Sequence, residues 1–125
     1  MGAAKRVLVI DDERVIHTFM KAVFERVGFR VTGAVDALQG PLIARQLTPD
    51  LIVLDIALPG GGGYKVFERL RMMKETTAIP ILVYSMLPRE QVLAQIPEAG
   101  DVIFLSKPAA PEEILAAANK LLGAA

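Results

Sequence analysis

Five short apolar runs recur along the chain, separated by segments with a different repeat. The runs are rich in Val, Ile and Leu, and they occupy residues 6–11, 29–35, 50–56, 79–85 and 101–107. Four of the five are apolar on both faces. Such strands are typical of a parallel sheet that is covered on each side. The pattern therefore predicts five parallel strands, most of them fully buried.

The segments between and after these runs carry apolar residues every three or four positions, as amphipathic helices do. This repeat predicts helices within residues 13–28, 64–75, 88–100 and 111–123, and a weaker one within 37–47, where Gly40 and Pro41 delay the start. Strands that alternate with helices need crossover connections, which place helices on both faces of the sheet. We therefore predict an α/β fold with one doubly wound, five-stranded parallel sheet and five helices.

Length, charge and composition narrow the class of protein. The chain has 125 residues, a formal net charge of zero and no cysteine. This length suits one domain, residues 1–125, and the lack of cysteine excludes disulfides and thiolate metal sites. A neutral chain without a basic tract is a poor candidate for direct nucleic-acid binding. Because neither a transmembrane run nor a secretory signal is visible, we expect a cytoplasmic protein that does not contact membranes.

Polar residues follow the predicted strands at their carboxyl ends, the edge at which such sheets bind ligands. The first strand ends in Asp11 and Asp12, the third at Asp55, the fourth at Ser85 and the fifth at Lys107. Carboxylates suit Mg²⁺, and a lysine with a hydroxyl suits the oxygens of a phosphoryl group. Each residue alone is commonly structural, for example as a helix cap. Their joint placement at four strand ends predicts one functional site.

Three motifs make the chain resemble the receiver domains of bacterial two-component response regulators. The motifs are "VLVIDDE", "PDLIVLDIALPG" and "FLSKP", and they match the family in order and spacing over essentially the full chain. The resemblance implies a flavodoxin-like fold with strand order 2-1-3-4-5. It also implies a phosphorylation-dependent signalling switch rather than an enzyme, with a sensor histidine kinase or a phosphotransfer protein as its phosphoryl donor.

The resemblance implies a role for each residue around the phosphoryl group. Asp55 would accept the group, and Ser85 and Lys107 would bind its oxygens. Phe104 and Ser85 would form the switch, in which Phe104 turns inward when Ser85 moves toward the phosphate. The bond between Lys107 and Pro108 would be cis. The signal would reach a downstream target protein through the face of the fourth helix, the fifth strand and the fifth helix.

The resemblance also implies Mg²⁺ as the cofactor. Asp12, Asp55 and the backbone carbonyl of Ala57 would bind the ion, and Asp11 would act through water. The metal would neutralise charge that otherwise repels the incoming phosphoryl group. No output domain is expected within the chain. A stand-alone regulator and a receiver cut from a longer protein both stay open.

The chain departs from the family pattern after Asp55. The family has an acid near the start of the third helix, where this chain has Gly62 followed by Gly63. A glycine can cap a helix, but it loosens the backbone. We interpret residues 60–62 as tolerated loop variation, and the alternative is a mobile lid or a partner-facing loop.

Three further departures flank the phosphorylation site. Ala57 and Leu87 are apolar where the family often has polar groups, and Met86 is larger than the usual alanine or glycine. We expect Met86 to crowd the phosphoryl pocket. Apolar side chains cannot orient the water that hydrolyses an acyl phosphate, so a long-lived phosphorylated form is expected.

Two other classes of protein stay open at this point. A small Mg²⁺-dependent phosphatase of the aspartyl-phosphate type is one, but the haloacid dehalogenase type has its second acid two residues after the nucleophile, whereas Asp11 and Asp12 are adjacent. A flavodoxin-like electron carrier is the other, although no Ser/Thr-rich phosphate loop follows the first strand. His17, the single histidine, is expected at the surface or the core boundary rather than as a ligand.

Overall fold

One parallel sheet of five strands forms the centre of the molecule. The computed structural model describes residues 3–123, and its strand order is β2-β1-β3-β4-β5. The strands are β1 (Arg6–Ile10), β2 (Arg30–Ala34), β3 (Leu51–Leu54), β4 (Ile81–Ser85) and β5 (Val102–Ser106). Each of the five predicted strands is present, and the predicted fold with strand order 2-1-3-4-5 is confirmed.

Helices connect the strands on both faces of the sheet. Within residues 3–123 they are α1 (Arg14–Glu25), α2 (Gln39–Leu47), α3 (Gly62–Met72), α4 (Arg89–Gln95) and α5 (Pro111–Leu121), with a 3₁₀ turn at Pro59–Gly61 before α3. α2 begins at Gln39, ahead of Gly40 and Pro41, so these two residues do not delay its start as expected; Pro41 lies in the first turn, where a backbone N–H has no intrahelical partner. None of these helices is long and apolar enough to cross a membrane.

The core has two halves, one on each face of the sheet. On β1, Leu8 and Ile10 pack on one side with residues from α2, α3 and α4, while Val7 and Val9 pack on the other with residues from α1 and α5. All four side chains are fully buried. Burial on both faces explains why the strands lack the polar alternation of a half-exposed sheet. The carboxyl ends of the parallel strands then meet at one edge.

The glycine run before and within α3 has a steric reason at every position. Gly60 and Gly61 have φ values of 70° and 71°, in the left-handed region that favours glycine. A Cβ at Gly62 would lie 2.8 Å from the Cβ of Ala37, and a Cβ at Gly63 would overlap the backbone of Ile56. The interpretation of residues 60–62 as tolerated variation stays a prediction. The glycines of this run allow the chain to turn and α3 to begin directly against the segment that follows Asp55.

This close approach predicts a large effect for Gly63→Ala. The added methyl must displace the backbone of Ile56, so the free energy of unfolding should fall by about 1–3 kcal/mol, the usual cost of overpacking. The matched control is Gly100→Ala, because a Cβ there meets open space and the backbone is not in the left-handed region. Urea denaturation should show the control within about 0.5 kcal/mol of wild type. Equal stability of the two variants would contradict the steric account.

Candidate functional site

Strand register places Asp11 and Asp55 side by side. Ile10 pairs with Leu54 in the parallel ladder of β1 and β3, so the two residues that follow them are neighbours. The backbone N–H of Asp55 donates to the carbonyl of Ile10 at 3.0 Å. Asp11 is 2% exposed and Asp55 is 4% exposed. Two carboxylates are thus withdrawn from water at the same point of the sheet edge.

Lys107 bridges these two carboxylates. Its Nζ donates to Oδ2 of Asp11 at 2.8 Å and to Oδ2 of Asp55 at 3.3 Å, and it lies 3.4 Å from Oε1 of Glu13. The lysine side chain is 6% exposed, so these contacts are little weakened by water. A buried charge is tolerated when it is paired and hydrogen-bonded. The predicted convergence of Asp11, Asp55 and Lys107 is therefore present in the structure.

Burial and charge act in opposite directions on these groups. Burial raises the pKa of Asp11 above its ordinary 3.8, and it outweighs the lowering by the hydrogen bonds from Lys107 and from the Glu13 backbone. For Lys107, burial alone would lower the pKa, but the hydrogen bonds and charges of Asp11 and Asp55 together raise it above 10.5. The lysine is therefore a cation at neutral pH. The ionised Asp11 carboxylate, in contrast, destabilises the fold.

Asp11, Asp12 and Asp55 form an acidic cluster that suits a divalent cation. One carboxylate oxygen from each lies within 4.8 Å of the other two, and Asp12 is exposed at the opening. Mg²⁺ takes a few carboxylates and keeps several waters, so two buried acids beside one exposed acid fit its requirements. Ala57 lies next to this cluster, because its backbone N–H donates to Oδ1 of Asp55 at 2.9 Å. Coordination by the Ala57 carbonyl stays a prediction.

Ser85 and Phe104 lie on the two strands beside the lysine. Ser85 is fully buried, and its carbonyl accepts the backbone N–H of Lys107 at 3.0 Å. The Ser85 hydroxyl oxygen is 3.3 Å from the backbone N–H of Leu87, which donates to it. Phe104 is 4% exposed, so its ring is already buried, whereas the sequence interpretation has it turn inward only as Ser85 moves. The predicted cis bond between Lys107 and Pro108 is present.

Two charged residues around Phe104 carry no recognisable signal in the sequence. The backbone N–H of Phe104 donates to Oε2 of Glu98 at 3.0 Å, and Oε1 of Glu98 accepts from Arg89 at 2.7 Å. The guanidinium of Arg89 also lies 5.7 Å from the centre of the Phe104 ring. The Glu98 carboxylate therefore connects Arg89, in the first turn of α4, to Phe104 on β5. The same carboxylate satisfies the backbone N–H of Phe104, which lies on an edge strand of the sheet.

The structure revises the sequence-based expectation for Met86 and adds a contact for His17. Met86 is 75% exposed, so the expectation that it crowds the phosphoryl pocket is wrong. Leu87 is partly buried against the core, and Ala57 is exposed at the rim. His17 is half-buried, as expected, but its Nε2 lies 2.6 Å from the backbone carbonyl oxygen of Asp11. His17 therefore has a polar contact with a residue of the acidic cluster.

A buried lysine between two strand-end aspartates, on a sheet of order 2-1-3-4-5, defines the class of phosphoryl-accepting signalling domains. Sequence comparison agrees, since residues 7–119 match the model of the response regulator receiver domain. The chain is 39% identical to the DNA-binding dual master transcriptional regulator RpaA of Synechocystis over 94% of this chain and 48% of that protein. It is 30% identical to Protein PilH of Pseudomonas aeruginosa over 94% of this chain and 97% of that protein. The chain belongs to the response regulator receiver domain family.

Solved structures share the fold. Chemotaxis protein CheY4 of Vibrio cholerae has a TM-score of 0.86 at 24% identity, covering 95% of this chain and 99% of that chain. The receiver domain of sensor histidine kinase PA1611 from Pseudomonas aeruginosa, with a magnesium ion in its active site cleft, has a TM-score of 0.84 at 24% identity and covers 98% of this chain and 100% of that chain. At such identities the likeness shows the fold alone.

Family membership decides between the classes that the sequence leaves open. The interpretation as a receiver domain of two-component signalling is confirmed, and the alternative of a Mg²⁺-dependent phosphatase is not favoured. The chain spans about half the length of the first curated relatives that it matches, 48% of RpaA and 44% of KdpE. The activities of those whole proteins therefore do not transfer to this chain.

The raised pKa of Asp11 predicts that Asp11→Asn stabilises the protein in chelator. Asparagine keeps the shape and removes a buried charge, so the melting temperature near neutral pH should rise by a few degrees. In wild type this penalty is absent below the ordinary pKa of 3.8, grows as the pH rises through the folded-state value and is complete above it. The advantage of Asp11→Asn should therefore disappear in acid.

Thermal unfolding across the pH range, followed by circular dichroism, is the measurement. Asp12→Asn is the matched control, because Asp12 is an exposed member of the same cluster and its substitution should change the melting temperature less. Both variants should bind Mg²⁺ more weakly than wild type. A lower melting temperature of Asp11→Asn at neutral pH would show that Lys107 contributes more to stability than burial of the acid removes.

Proposed function

We propose that this protein is a phosphorylation-dependent switch in which Asp55 accepts a phosphoryl group from a phosphohistidine. The donor is a sensor histidine kinase or a phosphotransfer protein. The observation that carries the proposal is the position of Lys107, whose buried ammonium is 3.3 Å from an oxygen of Asp55. A cation at this place can hydrogen-bond to the carboxylate before transfer and to the phosphoryl oxygens after it.

Transfer requires one oxygen of Asp55 to attack phosphorus. The bond that forms joins that oxygen to phosphorus, and the bond that breaks joins phosphorus to the donor imidazole, which keeps the electron pair. Oδ1 accepts the backbone N–H of Ala57 and Oδ2 faces Lys107, so both oxygens are oriented before the donor arrives. Such preorganisation lowers the entropic part of the barrier.

Mg²⁺ is the cofactor of the proposed reaction. Asp11, Asp12 and Asp55 would hold it together with the carbonyl of Ala57, as their clustering within 4.8 Å supports for the three acids. When bound, the ion neutralises negative charge on the phosphoryl oxygens. Lys107 and the Ser85 hydroxyl would bind oxygens of the phosphoryl group, and they would stabilise the charge that develops during transfer.

Phosphorylation adds charge and acceptor oxygens at Asp55, and this change has a structural path outward. Lys107 must share its hydrogen bonds with the new oxygens, and the Ser85 hydroxyl can exchange the N–H of Leu87 for one of them. Ser85 lies beside β5, where Phe104 contacts Glu98 and the start of α4. The face of α4, β5 and α5 is therefore the surface that presents the signal to a downstream protein.

In this proposal the chain, residues 1–125, acts as one receiver unit, which is supported by the single sheet that all five strands of the described residues share. Relatives named as transcriptional regulators are longer than the matched region, and RpaA is covered for 48% of its length. PilH is covered for 97% of its length, so receivers of this size also occur. Contact with nucleic acid is no part of the proposed role of this unit.

Phosphorylation should occur at Asp55 alone. Intact mass spectrometry after incubation with acetyl phosphate and Mg²⁺ should show one added phosphoryl group on wild type and none on Asp55→Ala. The matched control is Asp50→Ala, because Asp50 precedes β3 at the opposite edge of the sheet, where it accepts the N–H of Arg6. This control should still gain the group. A mass gain that persists in Asp55→Ala would refute the assignment.

The phosphorylated form should be long-lived for a receiver. Exposed Ala57 offers only a methyl group at the rim, and partly buried Leu87 offers no polar atom from its side chain, so neither orients the water that attacks phosphorus. Leu87→Glu should speed loss of the phosphoryl group about tenfold, which corresponds to roughly 1.4 kcal/mol of barrier. Met86→Ala is the control and should leave the rate unchanged, since Met86 is 75% exposed.

The decay is followed by mass spectrometry in Mg²⁺ after removal of the phosphodonor. Decay of wild type within seconds would be inconsistent with the apolar rim as a cause of long lifetime. The same conclusion would follow if Leu87→Glu decayed at the wild-type rate.

A further inference from the structure

Gly33 is a glycine that the backbone does not require. It lies inside the edge strand β2, it is exposed to solvent, and its φ is not positive. A glycine inside a strand lowers stability, and an exposed strand position would favour a β-branched or aromatic residue. A Cβ at Gly33 would lie 2.5 Å from Nδ1 and 2.9 Å from Cε1 of His17. The glycine therefore makes room for the imidazole of His17.

The other edge of that imidazole contacts the acidic cluster. Nε2 of His17 lies 2.6 Å from the backbone carbonyl oxygen of Asp11. A carbonyl oxygen only accepts, so Nε2 carries the proton and donates it to this hydrogen bond. On the preceding peptide, the N–H of Asp11 donates to the carbonyl of Ala34 at 3.1 Å. The backbone of Asp11 is thus held on both sides, by β2 and by α1.

The carbonyl that His17 contacts belongs to the peptide unit between Asp11 and Asp12. A peptide unit is planar, so holding its oxygen also sets the direction in which the chain continues to Asp12. Asp12 is exposed, so packing alone does not orient it. The carboxylates of both residues cluster with that of Asp55 within 4.8 Å. The imidazole therefore acts on the geometry of two of the three acids through one backbone atom.

We propose that His17 is a positioning residue for Mg²⁺ binding and that Gly33 is required to seat it. His17 does not contact the ion or the phosphoryl group. It orients the peptide unit that carries Asp11 and Asp12, so that their carboxylates converge with Asp55. This inference rests on the Mg²⁺ site of the proposed function.

A double-mutant cycle on the full chain tests the proposal. Isothermal titration calorimetry with Mg²⁺, at one mildly alkaline pH, compares wild type with His17→Ala, Gly33→Ala and the double variant. His17→Ala should weaken Mg²⁺ binding on the order of tenfold, as loss of a group that orients a metal ligand does. Gly33→Ala should weaken it similarly, because the methyl displaces the ring. In the His17→Ala background Gly33→Ala should have no further effect.

Gly100→Ala is the matched glycine control and should bind Mg²⁺ as wild type does, because its Cβ meets open space. Urea denaturation of the same variants separates a change in metal affinity from a loss of folding. A second measurement uses wild type alone, namely nitrogen NMR of the imidazole. Because the chain has a single histidine, its resonances are assigned directly. They should show the proton on Nε2. A proton on Nδ1 with a bare Nε2 would overturn the proposal.

The outcomes separate this inference from the function on which it rests. If wild type fails to bind Mg²⁺, the proposed metal site is wrong and the positioning role falls with it. If wild type binds Mg²⁺ and His17→Ala binds it equally well, only the positioning role is overturned. Additive effects of His17→Ala and Gly33→Ala on affinity would likewise contradict the pairing of imidazole and glycine.

Discussion

The ionic contact of Lys107 with Asp11 and Asp55 is the interaction on which the site depends. Two unit charges about 4 Å apart repel by up to roughly 4 kcal/mol at an effective dielectric constant near 20. The two carboxylates are buried, and the lysine ammonium lies within 3.3 Å of both, so it offsets this repulsion. In the proposed function a phosphoryl group on Asp55 competes for the same ammonium. In that proposal, the contact that offsets the repulsion between the two carboxylates would also respond to phosphorylation.

The rest of the fold serves to bring these charges together without water. Apolar side chains on both faces of β1 and β3 bury the strands, and their register sets the two aspartates next to each other. The glycine run lets α3 start against the backbone of Ile56, directly after Asp55. A bulkier residue at Gly63 would displace the segment that follows Asp55. Packing around the helix start is thus part of the geometry of the site.

Backbone atoms transmit geometry in two directions from the site. On the side of β2 and α1, His17 contacts the carbonyl of Asp11 and occupies the space left by Gly33. On the side of β5 and α4, Glu98 accepts the N–H of Phe104 and pairs with an arginine of α4. The first contact bears on how the acids bind a cation. The second bears on how a change at Ser85 and Lys107 reaches the proposed output face.

The sequence by itself determined the fold class and, by resemblance, the strand order, and it predicted the strand-end acids and the lysine that the structure brings together. Apolar runs, helical repeats and strand-end residues are local features, so they can be recognised without coordinates. Only the tertiary structure decided that Lys107 bonds to Asp11, which is 96 residues away, that Met86 is exposed, and that His17 and Gly33 fit together. These contacts depend on strand register and on the space between packed elements. No local pattern contains that information, because it arises only when distant segments meet.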